Sequence, residues 1–188
     1  MLDAILCPDR LNRYFTFSDG TWIPDRPGAS ALMRNGSGDE YDIVFDDDAG
    51  VFLRGLAHES PMADTELWPE VTESVPHVFA EYVYDSVFSY EDDLQASVVI
   101  WRLIHDEHWS FGDIIFPEGQ DPDGSARLFS AVVDGTGMAY KRHAEDQHGI
   151  YVDLGAVRDL FVLTPLTADL IHQLNPNLSL ADLGRVAD

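Results

Sequence analysis

The chain has 188 residues, 45% of them hydrophobic, and its 34 acidic against 11 basic residues give a formal net charge of −23. A chain of this length and apolar content buries about 70% of its unfolded surface, which excludes disorder throughout. So few cations leave no basic patch to neutralise phosphates, which argues against direct nucleic-acid binding and against anionic membrane surfaces.

Lys141 is the only lysine. A GC-rich or salt-adapted host produces such a composition with no functional cause. The functional cause would be a basic protein partner, which a field of this sign steers in. No apolar run approaches the ~20 residues that span a bilayer. The start, MLDAILCPDR, lacks the basic region of a secretory signal. Cys7 stands alone, so an intramolecular disulfide and a cysteine-rich zinc site are excluded. The expectation is one cytoplasmic domain over 1–188.

In chain order, 13–22 reads as a short strand running into a Ser-Asp-Gly turn. Two prolines, three glycines and two serines make 24–38 a surface loop. Tyr41, Ile43 and Phe45 alternate with Asp42, Val44 and Asp46, the period of a half-buried strand; "DDAG" turns it and 51–56 returns. A helix over 68–85, kinked or started by Pro76, presents Val75, Val78, Phe79 and Tyr82 to a core. The run 98–104 is apolar on both faces, as in a strand inside a sheet. "HDEH" turns it and 109–116 returns.

After a loop at 117–124, Asp123 caps a helix over 125–147 that carries Leu128, Phe129, Val132 and Val133 inward and breaks at Gly135 and Gly137. A short strand at 150–154 precedes helical segments at 156–161, 167–174 and 179–186, capped from Thr164 or Thr167 and from Asn177 or Ser179. Hairpins with helices outside them, rather than alternating strand and helix, predict an α+β fold. Its antiparallel sheet is built from two hairpins, with helices packed on one face and a helical C-terminal region over 155–188.

The stretch FLRGLAHESPM (52–62) carries Arg54, His58 and Glu59. A strand end projecting His and Glu into a cleft supplies a general base with an orienting carboxylate, or two metal ligands. The opposing reading is a tight exit from the hairpin in which His58 bonds backbone. No short motif with known mechanics is matched. His105 and His108 would share a face on a helix but splay apart in a turn, so neither a built metal site nor a cofactor is expected. His143 and His148 sit near a helix C-terminus, where they complement its dipole. His77 and His172 fall in apolar helical patterns, as core or boundary residues. Asp121, Asp123 and Gly124 are a fragment of a calcium loop without its closing Glu, which rules out an EF-hand. A phosphate loop and a G-x-S-x-G elbow are absent, and Cys7 beside Pro8 is poorly placed for activation.

The acidic runs 46–48, 91–93 and 118–123 read as solvated turns, or as one anionic face if two of them meet. Trp68, Tyr90, Trp109 and Phe111 would then be anchors. In size and charge the chain is similar to small acidic proteins of the immunity-protein kind, which neutralise basic toxins. The first expectation is therefore a non-enzymatic domain that occludes a basic partner through Asp46, Asp47, Asp48, Glu91, Asp92, Asp93 and Trp109. The alternatives are a hydrolase-type or lyase-type enzyme at His58 and Glu59, and a housekeeping domain whose acidity reflects its host. Oligomeric state is not encoded in any pattern above.

Overall fold

The computed structural model describes residues 1–64, 68–84, 89–90 and 93–186, with the backbone alone at 89–90, 93–94 and 184–186. The fold is α+β around a six-stranded antiparallel sheet. By its contacts the chain forms two compact units. One is the continuous stretch Phe17–Leu128; the other joins Met1–Thr16 to Phe129–Asp188.

The sheet has the order β1 (Phe15–Ser18), β2 (Gly28–Arg34), β3 (Glu40–Asp46), β4 (Gly50–Leu56), β7 (Val98–Leu103), β8 (Ser110–Phe111); β5 (Ser89–Tyr90) and β6 (Asp93–Leu94) form a separate ladder. The β3–β4 hairpin is the expected one, in register from Glu40↔Leu56 to Asp46↔Gly50. Gly50 has φ +122°, and a Cβ there would run into the Arg102 carbonyl, so glycine lets β4 start hard against β7.

Three sequence expectations are corrected in the continuous unit. The segment 24–38 is not a loop throughout. Its residues 28–34 form β2, paired along its whole length with β3. Pro24, Pro27, Gly36 and Gly38 lie outside this strand and supply the loop-like composition. The helix over 68–85 is in fact α2 (Glu70–Glu73), a 3₁₀ turn at His77–Phe79 and α3 (Ala80–Val83). Pro76, extended at ψ 139°, separates them. Val71, Phe79, Tyr82 and Val83 still pack on one sheet face, against Val44, Phe52, Val99 and Trp101, while Val78 turns outward. The return strand 109–116 pairs only at Ile100↔Phe111 and Trp101↔Ser110. Beyond it Gly112 is pressed against the Glu70 carbonyl.

Strand β3 is buried on both faces instead of one: Tyr41 and Ile43 are inside as their alternation predicts, and Val44 and the two aspartates are inside as well. Phe45 is 41% exposed, whereas Asp42 and Asp46 are 1% and 3% exposed. Asp42 is paired with the buried Arg54 at 2.8 Å and with Arg34 at 3.2 Å. Arg54 also donates to Glu40 and to the Gln95 carbonyl, each at 2.5 Å. Asp46 accepts from Arg26 at 2.9 Å, from the Tyr82 hydroxyl at 2.8 Å and from the amides of Asp48 and Ala49. Burial and the adjacent Asp46 push the Tyr82 phenol up to about 12.

The discontinuous unit contains α1 (Leu2–Leu6), α5 (Ser130–Val133), α6 (Met138–His148), α7 (Leu154–Phe161), α8 (Ala168–Leu174) and α9 (Leu180–Val186); α4 (Ser125–Leu128) belongs to the continuous unit. Its core gathers Ile5, Leu6, Tyr140, Ala144, Val157, Ile171 and Leu174. The helix expected over 125–147 breaks before Gly135 as well as at Gly137, which starts α6 at φ +74°. Val133 is 74% exposed rather than inward. The segment 150–154 is not a strand, because Asp153 caps α7 by accepting from the Ala156 amide at 2.8 Å. Thr167 caps α8, and Ser179 and Asp182 bond each other's backbone amides at the start of α9. His77 and His172 face solvent instead of a core. Among the described residues no helix is long and apolar enough to cross a membrane.

A buried carboxylate organises this unit. Asp3 accepts from the amides of Tyr14 and Phe15, at 3.0 and 2.8 Å, and from the Tyr140 hydroxyl at 2.5 Å. The His143 ring lies 4.8 Å from that of Tyr14 and 5.1 Å from that of Phe15. Its Nε2 and that of His148 are buried with no hydrogen-bond partner among the described residues. Burial holds the His143 imidazole below its ordinary range; His148 pushes the same way, and Asp3 and Asp146 oppose it. A histidine depressed on folding favours the folded state above its unfolded pKa of about 6.5, and that contribution is lost as pH falls. The urea midpoint should therefore drop between about pH 7.5 and about pH 5.5, and His143→Phe should flatten that dependence. Separately, Arg54→Ala strands Asp42 in the interior and should cost about 3–5 kcal/mol in urea unfolding, most of it recovered when Asp42→Leu is added to Arg54→Met.

Candidate functional site

Past the end of β4, residues 57–63 form a turn, with the Ser60 amide on the Ala57 carbonyl at 2.8 Å. The Ser60 hydroxyl donates to the Pro122 carbonyl at 2.7 Å. His58 is held by a residue that the sequence pattern did not single out. Its amide and its Nδ1 reach Asp39 Oδ1 at 3.1 and 2.9 Å. A carboxylate only accepts, so Nδ1 donates its hydrogen to Asp39 and the ring is oriented with Nε2 away from that carboxylate. The other Asp39 oxygen takes the Asn35 side-chain amide at 3.1 Å and the Arg127 guanidinium. Burial pushes the Asp39 carboxyl up, but Arg127 and His58 outweigh it and hold the group below the usual range.

Arg127 is delivered by α4. The Asp123 cap expected there is present, on the Ser125 amide at 3.0 Å, and Asp121 adds bonds to the amides of Ala126 and Arg127. Glu59 is 79% exposed, and its carboxylate lies 3.9 Å from His58 Nε2, beyond hydrogen-bond reach. Arg54 is not part of this group, since its side chain is buried with Asp42 and Glu40. The signal for Asp39 lay in the hairpin register. Glu40↔Leu56 carried one step outward puts residue 39 beside residue 57.

The second assembly is at the opposite end of the β3–β4 hairpin. Asp47 and Asp48 are exposed at its turn, whereas Asp46 is buried and paired with Arg26 and Tyr82. Glu91 and Asp92 lie outside the described residues, as do the side chains of Tyr90 and Asp93. The 46–48 turn meets a different acidic turn. The Ile104 amide donates to the Ala49 carbonyl at 3.0 Å, and the Asp106 amide to the Leu103 carbonyl at 2.9 Å. Exposed Asp106 and Glu107 thereby lie at the same end of the sheet as Asp47 and Asp48.

His105 and His108 are exposed on the same turn. Among the described residues no three His, Cys, Asp or Glu side chains are grouped to hold a metal ion. Trp109 stands opposite Arg102 by continuation of the β7–β8 register, and the guanidinium lies 5.8 Å from its ring centroid. Phe45, Asp47, Val51, Arg102 and Ile104 line an open cleft of about 250 Å³ beside the turns.

No family model, curated protein or solved structure matches this chain. Its chemistry is therefore read from these two assemblies. Asp39→Ala releases His58 and Arg127 together and should cost about 1–3 kcal/mol in urea unfolding at neutral pH. Because the Asp39 carboxyl is depressed on folding, its contribution is present above its unfolded pKa of about 3.9 and lost below it. The deficit of the variant relative to the native chain should accordingly shrink as pH falls through about 4.

Proposed function

We propose that this protein is a non-enzymatic acidic binding domain for a basic protein partner, of the inhibitor or immunity kind, acting by steric occlusion after electrostatic steering. The observation that carries the reading is the meeting of two exposed acidic turns, Asp47–Asp48 and Asp106–Glu107, through the Ile104–Ala49 hydrogen bond. Like charges held side by side are unfavourable for the isolated fold, and a cationic partner relieves them. The surplus of 34 acidic over 11 basic residues extends that field well beyond the contact.

The test is capture from the native lysate on the wild-type chain and on a variant carrying D47K, D48K, D106K and E107K, followed by stopped-flow association with the purified captured protein. A basic protein retained only by the wild type, with an on-rate falling about tenfold or more between low and about 0.5 M salt, is the expected result. Equal retention by both chains overturns the assignment to these turns. A gain of stability at molar salt with no captured protein would instead favour acidity inherited from the host.

A hydrolase-type reading attaches to His58, because Asp39 orients its ring and leaves Nε2, in the neutral form, able to accept a proton. Over a panel of activated carboxylate and phosphate esters, it predicts turnover that His58→Ala abolishes with the fold intact. Turnover that is absent, or untouched by the variant, removes it.

A further inference from the structure

We propose that the exposed aromatic row beside the acidic turns docks an extended segment of the partner protein that carries alternating apolar and cationic side chains. This rests on the basic-partner reading above and adds what the partner must look like.

The row follows from register alone. Phe45 pairs with Val51, Val51 with Arg102, and Trp109, just before β8, continues opposite Arg102, so these four side chains line up on one sheet face from β3 to the start of β8. At about 4.8 Å per strand the row spans about 14 Å, the length of four to five extended residues. Two positions further along β8, Phe111 is on the same face and meets Phe116 with ring centroids 6.3 Å apart; Ile104 is two positions beyond Arg102. Phe45, Ile104, Trp109, Phe111 and Phe116 are between 41% and 55% exposed. An aromatic and arginine centre with a charged rim is the composition of a binding hot spot rather than of an ordinary solvated face.

Charge selects the occupant. The rim is Asp47, Asp48, Asp106 and Glu107, with Asp113 exposed past Phe111. A second copy of a chain at −23 would bring like-charged turns together. Edge strands are commonly guarded against pairing by lysine, but β8 is last in the sheet order and the chain's single lysine is at position 141. A strand with apolar residues on one side and Lys or Arg on the other satisfies row and rim together.

The test uses three synthetic peptides of roughly eight residues, longer than the row: alternating Lys-Val, alternating Glu-Val, and a block of Lys followed by a block of Val. Each is titrated into the isotope-labelled full chain with amide shifts followed by NMR. The Lys-Val peptide should shift Phe45, Val51, Arg102, Trp109 and Phe111. Trp109→Ala should weaken it about 30-fold, chiefly through a faster off-rate. Phe45→Ser, at an exposed position that leaves β7–β8 untouched, should weaken it in the same direction. If shifts are confined to the acidic turns and the block peptide reproduces them, docking on the aromatic row is overturned while the basic-partner reading stands. Equal binding of Glu-Val, or no binding of either lysine peptide, overturns both.

Discussion

The interior of the sheet holds carboxylates, and each is neutralised by an arginine drawn from elsewhere in the chain. Asp42 is paired with Arg54 and Arg34, Asp46 with Arg26, and Asp39 with Arg127. An isolated buried carboxylate costs several kcal/mol, and arginine suits the task because its fork reaches two oxygens and remains charged at any relevant pH. Four of the chain's 11 basic residues are committed in this way. What is left for the rest of the chain is still more one-signed than the composition itself. The acidity of the surface is thus partly a consequence of how the inside is built.

The same pairs explain which parts of the fold were legible in the sequence. Hairpin β3–β4 was visible because "DDAG" sits between two apolar runs, and its strand bounds were read to within one residue. The burial of its second face was not. Alternation places Asp42 and Asp46 outward, and only their partners, 12 residues away at Arg54 and 20 residues away at Arg26, permit them inside. Strand β2 was hidden because loop-forming residues crowd both of its ends. Pro76 was recognised as a break, but the two short helices and 3₁₀ turn around it have no period long enough to detect. Caps were more reliable: Asp123, Thr167 and Ser179 all act where a small polar side chain precedes an apolar helical run.

Site legibility divides along the same line. His58 was conspicuous as a residue type, yet what it touches depends on a strand pairing. Asp39 comes from the turn before β3 and Arg127 from a helix 88 positions further on. The acidic runs read first as solvated turns, with a shared face as the alternative; the 46–48 turn does adjoin a second acidic turn, but that one is the HDEH segment, which was not among the runs. Its relevance lay in two acids framed by histidines, which draw the eye toward metal binding instead of charge. The apolar row was only partly legible in one dimension: Trp109 and Phe111 stood out as anchors, whereas Phe45 and Val51 join them from β3 and β4. Register collects them.

The two compact units differ in how their chain is drawn. One is the continuous stretch Phe17–Leu128; the other is assembled from the first 16 residues and the last 60. Asp3 makes this concrete, since the hydroxyl it binds on Tyr140 lies 137 positions away, and Asn175 donates to the Ile5 carbonyl from 170 positions away. During synthesis the hairpins can close while translation continues. Helix α1, with its apolar Ile5 and Leu6, has to wait through most of the chain for the helices that bury it. Contacts this distant in sequence carry a loop-closure cost that the β3–β4 hairpin does not, so the discontinuous unit depends on long-range closure where the hairpin depends on local pairing.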